Sequence, residues 1–443
     1  MKPVTIGILG LGTVGGGTAT VLKRNAAEIA RRAGRSIELV AASVRDINKK
    51  RSIELDNVKL TIDSNEIVDD PDIDIILELI GGTGLAKELV LRAIKNGKHV
   101  VTANKALIAL HGNEIFAAAQ RKGVTVAFEA AVAGGIPVIK AIREGLAGNQ
   151  IEWLAGIING TGNFILTEMR DKGRDFADVL KEAQALGYAE ADPTFDVEGI
   201  DAAHKLTILA SIAFGVPLQF EKVYTEGISE ITRADVEYAA ELGYRIKHLG
   251  IARRVESGLE MRVHPTLIPH RRLIANVDGV MNAVLVKGDA VGPTLYYGPG
   301  AGAEPTASSV IADVVDVVRT IDAAPASRVP ALGVAQKSLS ALPMLSISDI
   351  NTAYYLRINV SDQPGVLSHI TQVLSDFGIS IEAVLQKEAV QQEVGAEASS
   401  RQVPIVLITD RTLESKFMAA VERIEALDAV QESIHFIRVE SLG

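Results

Sequence analysis

The chain has no cysteine among its 443 residues. That removes disulfides, thiolate nucleophiles, iron–sulfur clusters and cysteine-type zinc sites together, since each needs the sulfur. No apolar run approaches the roughly 18 residues of a membrane span; the most apolar stretch, 124–142, is interrupted by Glu129, Gly134, Gly135, Pro137 and Lys140. A membrane partner is not expected. Positive charge is also short: Lys+Arg 45 against Asp+Glu 55 gives a net charge of −10, with no lysine or arginine cluster. A nucleic-acid partner is therefore not expected either. A leader peptide is not expected, because MKPVTIGILGLG goes straight into a strand-and-glycine pattern with no separate apolar segment and cleavage site. The expected location is the cytoplasm.

What is present has the texture of a soluble globular protein, 47% hydrophobic and 23% charged, of about three domains at roughly 150 residues each. Residues 4–9, VTIGIL, are a short β-branched run, as in a buried parallel strand. A helical pattern follows to about Arg32, then a strand from Ile37 to Val44, then strand-like runs at 73–80, 98–103 and 124–129 alternating with helical patterns at 84–96 and 112–122. Alternating β and α segments imply a parallel sheet covered on both faces, over 1–145. The texture then changes to glycine-rich turns, a long helix near 198–214 and strands at 260–268 and 280–287, an α+β unit over 146–325. The Pro/Ala/Ser-rich stretch 326–349 reads as a linker or surface-hugging connection. From 350 to 443 the order is βαββαβ, the ferredoxin-like arrangement, with a polar stretch at 389–402.

Gly10-Leu11-Gly12-Thr13-Val14-Gly15 follows the first strand and opens a helix. In that context the motif is the dinucleotide fingerprint: the glycines allow a tight turn, backbone approach to a pyrophosphate and close helix packing, and the helix start offers unpaired N–H groups. Strand two ends at Val44-Arg45-Asp46. An arginine there suits the 2′-phosphate of NADP and a carboxylate suits NAD, so Arg45 favours NADP while Asp46 leaves NAD open. Thr102-Ala103-Asn104-Lys105 lies at a later strand end, where open α/β sheets bind ligands; Lys105 either faces the crevice or is a solvated helix-start lysine.

Residues 187–205 hold five carboxylates and a lysine. Asp201 and Lys205 are spaced i,i+4 and share a helix face that continues to Ile208 and Ile212. Such a pair is usually a surface contact of about a few tenths of a kcal/mol, but beside an apolar face desolvation shifts a lysine toward proton transfer. His204, about 100° round the helix from Lys205, reads as a satisfied structural histidine. His264 and His270 lack metal-site spacing.

Taken together, GLGTVG (10–15), TANK (102–105), NGTGNFIL (159–166), GYAEADPTFDVEGIDAAHKL (187–206) and GAGAEPTASSV (300–310) resemble homoserine dehydrogenase across essentially the whole chain. The C-terminal SDQPGVL (361–367) looks like the ACT domain of the longer monofunctional bacterial members. The fold implied is α/β: a Rossmann-type parallel-sheet domain completed by about 300–320, an α+β substrate and dimerisation domain, and a ferredoxin-like ACT domain. The reaction implied is interconversion of L-aspartate 4-semialdehyde and L-homoserine with NAD(P)H, in threonine, methionine and isoleucine biosynthesis. The resemblance gives Lys205 the proton transfer, with Lys105 and Asp201 assisting. Backbone at Gly187 and Gly302 and the residues at 10–15, Arg45, Thr102 and Lys105 fall to the cofactor. Gly160, Thr161, Tyr188, Glu190, Asp196 and Asp201 fall to the substrate, Glu190 meeting its amino group. Glu129 with the carbonyls of Val132, Gly134 and Ile136 matches a monovalent cation site, sodium being the usual ion; capping of the next helix is the other reading of Glu129. ACT domains commonly pair, so a homodimer or homotetramer is implied, with L-threonine as effector at Asp362, Gln363 and Gly365. The pattern departs from the family at 387–402 and at Asp410, where histidine is expected. Truncation before residue 345 is expected to leave activity and remove the effector response.

Three other readings remain for comparison. Aspartate-semialdehyde dehydrogenase shares the architecture but needs a cysteine nucleophile, which this chain lacks. A fused aspartokinase is not expected, since the nucleotide-binding pattern begins at residue 4. A non-catalytic dinucleotide sensor has no use for Lys105, Glu190, Asp201 and Lys205 together.

Overall fold

The computed structural model describes residues 2–51, 53, 55, 57–387 and 402–443. Most of the polar stretch 389–402 lies outside the described residues.

The first domain is a six-stranded parallel sheet, order β3-β2-β1-β4-β5-β6, made of β1 (Val4–Leu9), β2 (Ile37–Ser43), β3 (Lys59–Thr61), β4 (Ile75–Glu78), β5 (His99–Thr102) and β6 (Val126–Ala127). Successive side chains point to opposite faces, so Ile75 and Leu77 pack with Val310 and Val314 of the helix Ala303–Thr320, while Ile76 packs with Leu89 and Ile94 of the helix Gly84–Lys95. Both faces are dry, which is why these strands read as continuous apolar runs. Parallel register brings Leu9, Glu78 and Thr102 to one edge, with Leu9 opposite Glu78 and Glu78 opposite Thr102. The single helix expected to Arg32 is two, Thr13–Arg24 and Ala26–Ala33, broken at Asn25. The strand expected over 124–129 shortens to β6, and Glu129 instead starts a 3-10 turn.

The second sheet runs β12-β11-β7-β9-β10-β17-β13-β15-β14. Its middle-domain part is antiparallel: β7 (Ile151–Ile157), β9 (Tyr244–Val255), β10 (Gly258–Pro269), β11 (Met281–Gly288) and β12 (Gly292–Pro299), with the short β8 (Tyr224–Thr225) beside β10. The helix Ile200–Phe214 crosses one face and is apolar nearly all round, as a fully buried helix must be; Leu206, Ile208, Leu209 and Ala210 are all inaccessible.

The C-terminal unit follows the order read from sequence: β13 (Asn351–Ser361), helix Val366–Asp376, β14 (Ile381–Gln386), β15 (Gln402–Thr409), helix Glu414–Glu425 and β17 (His435–Val439), with the small β16 (Thr412–Leu413) between β15 and the second helix. It is not a separable bead. β17 pairs in parallel with β10, Thr266 opposite Arg438 and Leu267 opposite Val439, so one sheet serves both domains. Tyr354, Leu356 and Ile358 face the unit's own helices, whereas Tyr355, Val406, Ile437 and Val439 share a core with Ile165, Met169 and Val236 of the middle domain. Truncation before 345 would uncover the middle domain's share of that core. The 326–349 segment hugs the surface: Leu259 N donates to Pro343 O, Leu345 N to Leu259 O and Ser340 N to Gly215 O.

Candidate active site

The glycine loop lies at the carboxyl edge of the first sheet. Gly10 takes φ +95° and the turn is so tight that a Cβ on Gly15 would fall 2.0 Å from the Gly10 carbonyl; no side chain fits there. Above Gly12 there is open space, and the helix that starts at Thr13 has no side-chain cap. Gly302, φ +121°, opens the helix Ala303–Thr320, also without a side-chain cap, beside the first helix, where Gly17 touches Ala303. Uncapped N–H groups of this kind suit a pyrophosphate. Arg45 is exposed just past β2.

Glu78, inaccessible at the end of β4, holds the rest of the crevice mouth together. It accepts Thr102 Oγ1 at 2.6 Å and the N–H groups of Ile80 and Gly81 at 3.1 Å. Burial pushes its carboxyl above the usual range. Thr102 Oγ1 in turn accepts Asn104 N at 3.0 Å, and Asn104 caps the next helix through Leu107 N while its amide holds Gly82 O. The hydroxyl of Thr102, a residue that the resemblance gives to the cofactor, thus bonds inside the protein. Sequence reasoning did not single out Glu78, because a carboxylate in an apolar run gives no hint of its distant partners.

Lys105 opens the helix Lys105–Lys122 and reaches across to the middle domain, its Nζ 3.0 Å from Asp201 Oδ1. Asp201 Oδ2 takes Lys205 Nζ at 2.6 Å and Asn159 Nδ2 at 2.9 Å. Lys205 Nζ also donates to Ile158 O at 2.7 Å, and Asn159 Nδ2 to Asp196 Oδ1 at 2.8 Å. The i,i+4 pair is therefore not a surface contact. The Asp201 side chain is 4% exposed, Lys205 12% and Lys105 37%. Asn159, which caps the helix Gly160–Lys172 through Gly162 N, was missed as a site residue; its place at a helix start is the signal that could have found it.

The two lysines are tuned apart. Burial pulls Lys205 down, Asp201 opposes it and Lys105 adds repulsion, leaving it below its ordinary value. Burial acts on Lys105 too, but there Asp201, Asp196 and Glu190 outweigh it and hold the ammonium above its ordinary value. Asp201, though buried, is kept well below the carboxylate range by both lysines. Divergent values on neighbouring groups are how acid and base roles separate.

Around this cluster, Thr161 Oγ1 donates to Tyr188 O at 2.7 Å, Tyr188 packs edge-on to Phe164, and exposed Glu190 is near enough to act on Lys105. Gly187, φ +75°, is exposed beside them, and Gly160 packs on Val280 O. His204 is buried against Phe220, ring centroids 4.3 Å apart, yet its Nδ1 has no hydrogen-bond partner. The reading of a satisfied histidine is corrected: stacking, with the ring kept neutral by burial at about 4, takes the place of hydrogen bonding.

Glu129 does cap the following helix: Oε1 accepts Ile139 N at 2.8 Å and Oε2 accepts Lys140 N at 2.9 Å. Burial, then the nearby Asp313, push its carboxyl up to about 7. The backbone beside it turns left-handed at Ala133 (φ 51°) and Gly134 (φ 31°), and Ile136 O accepts Val138 N at 2.7 Å. Among the described residues no group of three His, Cys, Asp or Glu could hold a metal ion. Asp362, Gln363 and Gly365 line a cleft of about 80 Å³ with Ser361, Gln386 and Val403. A cavity of about 790 Å³ lies elsewhere, between the β6 edge and residues 325–339. In its lining Arg143 pairs with Glu144, Arg319 with Asp316, and Arg328 with main-chain carbonyls.

Comparison with known proteins agrees with this layout. The profile "Homoserine dehydrogenase, NAD binding domain" matches residues 10–129, "Homoserine dehydrogenase" 137–315 and "ACT domain" 354–426. A homoserine dehydrogenase of Pseudomonas aeruginosa is 65% identical over 443 residues, covering 100% of both chains. The crystal structure of a homoserine dehydrogenase from Thiobacillus denitrificans superposes with a TM-score of 0.94 at 64% identity, covering 100% of this chain and 99% of that one. A hyperthermophilic archaeal homoserine dehydrogenase in complex with NADPH superposes at 0.61 with 27% identity, over 71% of this chain and 97% of that one. No described helix is long and apolar enough to cross a membrane.

Proposed function

The chain belongs to the homoserine dehydrogenase family of NAD(P)-dependent oxidoreductases, and on that premise we propose that it reduces L-aspartate 4-semialdehyde to L-homoserine with NADPH, in the route to threonine, methionine and isoleucine. The observation that carries the reading is the Lys105–Asp201–Lys205 contact, which puts two ammonium groups of opposite tuning where the first and middle domains meet. When bound, the nicotinamide supplies a hydride to the aldehyde carbon. Lys205, the lysine poised to give up a proton, protonates the oxygen as its charge develops, and takes the proton back in the oxidising direction. Lys105, held charged, stabilises the same oxygen without proton exchange. Asp201 fixes the direction of both ammonium groups, and Asn159 fixes Asp201 against Asp196. Glu190 and Asp196 supply the negative charge for the substrate α-ammonium, with Gly160, Thr161 and Tyr188 lining its path. Domain limits of 1–145 with 300–320, 146–325 and 350–443 follow this division of labour, and a cytoplasmic location suits supply by the nicotinamide pool.

Cofactor binding falls to residues 10–15, Arg45, Lys105 and the backbone of Thr102, Gly187 and Gly302. Arg45, free at the end of β2, supports NADP over NAD. A monovalent cation, sodium being the expected ion, would sit with Glu129 and the carbonyls of Val132, Gly134 and Ile136. The donor set fits: one carboxylate with lone pairs left after two N–H bonds, strained upward by burial, is what a single positive charge would relieve. Thermal melting in sodium chloride against choline chloride tests it. In the C-terminal domain, a cleft of about 80 Å³ holds only a few waters at about 30 Å³ each. That supports an effector site completed by a second copy, hence a homodimer or homotetramer, with L-threonine as effector. One experiment tests the core of the reading: absorbance of the reduced cofactor with homoserine and each of NAD and NADP, with and without threonine. No oxidation of homoserine with either cofactor would end it.

A further inference from the structure

Arg438, on the last strand, is 1% exposed, and its guanidinium is divided between domains. Nε bonds Glu414 Oε2 at 2.9 Å and Nη2 pairs with Glu414 Oε1 inside the C-terminal unit. Nη1 reaches Glu226 Oε2 of the middle domain at 2.6 Å, with Tyr224 Oη bonded to the same carboxylate at 2.8 Å.

Glu226 belongs to the segment that grips the start of the catalytic helix. Its N–H donates to Val263 O at 2.8 Å, its carbonyl meets His248 Nε2 at 2.9 Å, and Ile228 N donates to Val197 O at 2.9 Å. Ser229 bonds Glu198. Gly199, φ +81°, lies so close to the His248 ring that a Cβ would come within 3.0 Å of it. The turn clasped in this way carries Asp196 and leads directly into Asp201 and Lys205.

We infer that Glu226 and Arg438 are positioning residues for the reaction, through which the C-terminal domain sets the start of the helix that carries Asp201 and Lys205. The inference rests on the reading of Lys205 as proton carrier. The same domain is attached a second time, by Arg357 Nε to Asp235 Oδ1 at 2.7 Å with Tyr355 Oη on the same oxygen at 3.1 Å. That contact is as buried, but it holds the helix Arg233–Glu241, which meets the helix Gly160–Lys172 at its far end, where Arg233 lies beside Gly173. The first attachment holds Glu226, two residues before the N–H of Ile228 that reaches Val197, whereas the second holds Asp235, seven residues beyond it.

The experiment uses the full-length enzyme in three forms, Glu226→Gln, Arg438→Lys and, as the control, Asp235→Asn. It measures melting temperature, cofactor Kd and kcat for homoserine oxidation against pH. Glu226→Gln should lower kcat about tenfold or more, the scale on which misplaced groups act, with cofactor Kd unchanged. The limb on which its kcat rises with pH should move to higher pH, because burial is the largest influence on Lys205, ahead of Asp201, Lys105 and Asp196, and a loosened turn admits water. Arg438→Lys, which keeps the charge, serves if Glu226→Gln does not fold. Asp235→Asn should melt earlier but keep the wild-type kcat and pH limb. A wild-type profile in the Glu226 and Arg438 variants, or an equal change in all three, overturns the inference. Loss of activity in Lys205→Ala alongside that result would show that the clasp fails and the proton carrier stands; activity retained in Lys205→Ala would instead remove the reading on which the clasp depends.

Discussion

Two buried clusters of charge in this molecule share the same ingredients. At the domain junction Lys105 and Lys205 converge on Asp201; at the join with the C-terminal unit Arg253 and Arg262 converge on Glu440, and Arg438 on Glu414. In the first the cations are lysines, one of them about a third exposed. In the second they are arginines, with Arg262 0% and Arg438 1% exposed. A lysine gives up its proton when desolvated, whereas a guanidinium stays charged and offers a rigid fork of donors. On the proposed reading the first cluster moves a proton, while the second holds two domains in register.

The sharpest way to break this contrast is to exchange the cation types. Lys205→Ala should lower kcat at least about 10²-fold, the usual size of a general acid contribution, with cofactor affinity unchanged. Lys205→Arg should fall as far, because the charge remains but the proton does not leave. An arginine variant with near-normal turnover would show that charge alone suffices. At Lys105, where charge is the proposed role, Lys105→Arg should cost less than about tenfold and Lys105→Ala more, toward about 10². Turnover against homoserine at saturating cofactor decides it.

In the sealed cluster the reading is stability. Glu440→Gln leaves two guanidinium groups short of a buried partner and should destabilise by about 3–5 kcal/mol, seen as a lower melting temperature with unaltered kcat where the enzyme is folded. The smallest effect is the pH dependence. Burial works to raise Glu440, but Arg262 and Arg253 hold it down at about 2, below the about 4.3 of an unfolded glutamate. Its stabilisation is present above about 4.3 and lost as pH falls through about 2. The wild type should lose melting temperature over that window faster than Glu440→Gln; parallel curves would show that Glu440 contributes nothing to acid stability.

The same contrast explains what was legible in the sequence. The first sheet was, because strands dry on both faces read as apolar runs, and the glycine loop was, because its spacing is local. β10 was read, as the strand at 260–268, but its long neighbour β9 was missed: YRIKHLGIARRV carries Lys247, Arg253 and Arg254, and its inward charges, paired across the sheet, hide the alternation. Lys205 and Asp201 could be set on one face from spacing alone, but the meeting of Asp201 with Lys105 is a tertiary fact that no local pattern encodes. Glu78 and Arg438 were invisible for the same reason, each defined by partners far along the chain. The C-terminal βαββαβ order was legible as an order; its fusion to the middle sheet was not, since a two-residue parallel pairing leaves no periodic trace.

The helix Ala303–Thr320 that covers one face of the first sheet comes from beyond the middle domain. On the ribosome, the nucleotide-binding sheet finishes emerging by β6 at Ala127, but the part of the cover for Ile75 and Leu77 that this helix supplies is still untranslated. At about 5–20 residues per second, that face waits on the order of ten seconds or more for its lid. The N-terminal half therefore passes through synthesis as a stage with one sticky side, and a chaperone that binds apolar strands should engage nascent chains stalled between β6 and Ala303 and release those stalled after Thr320.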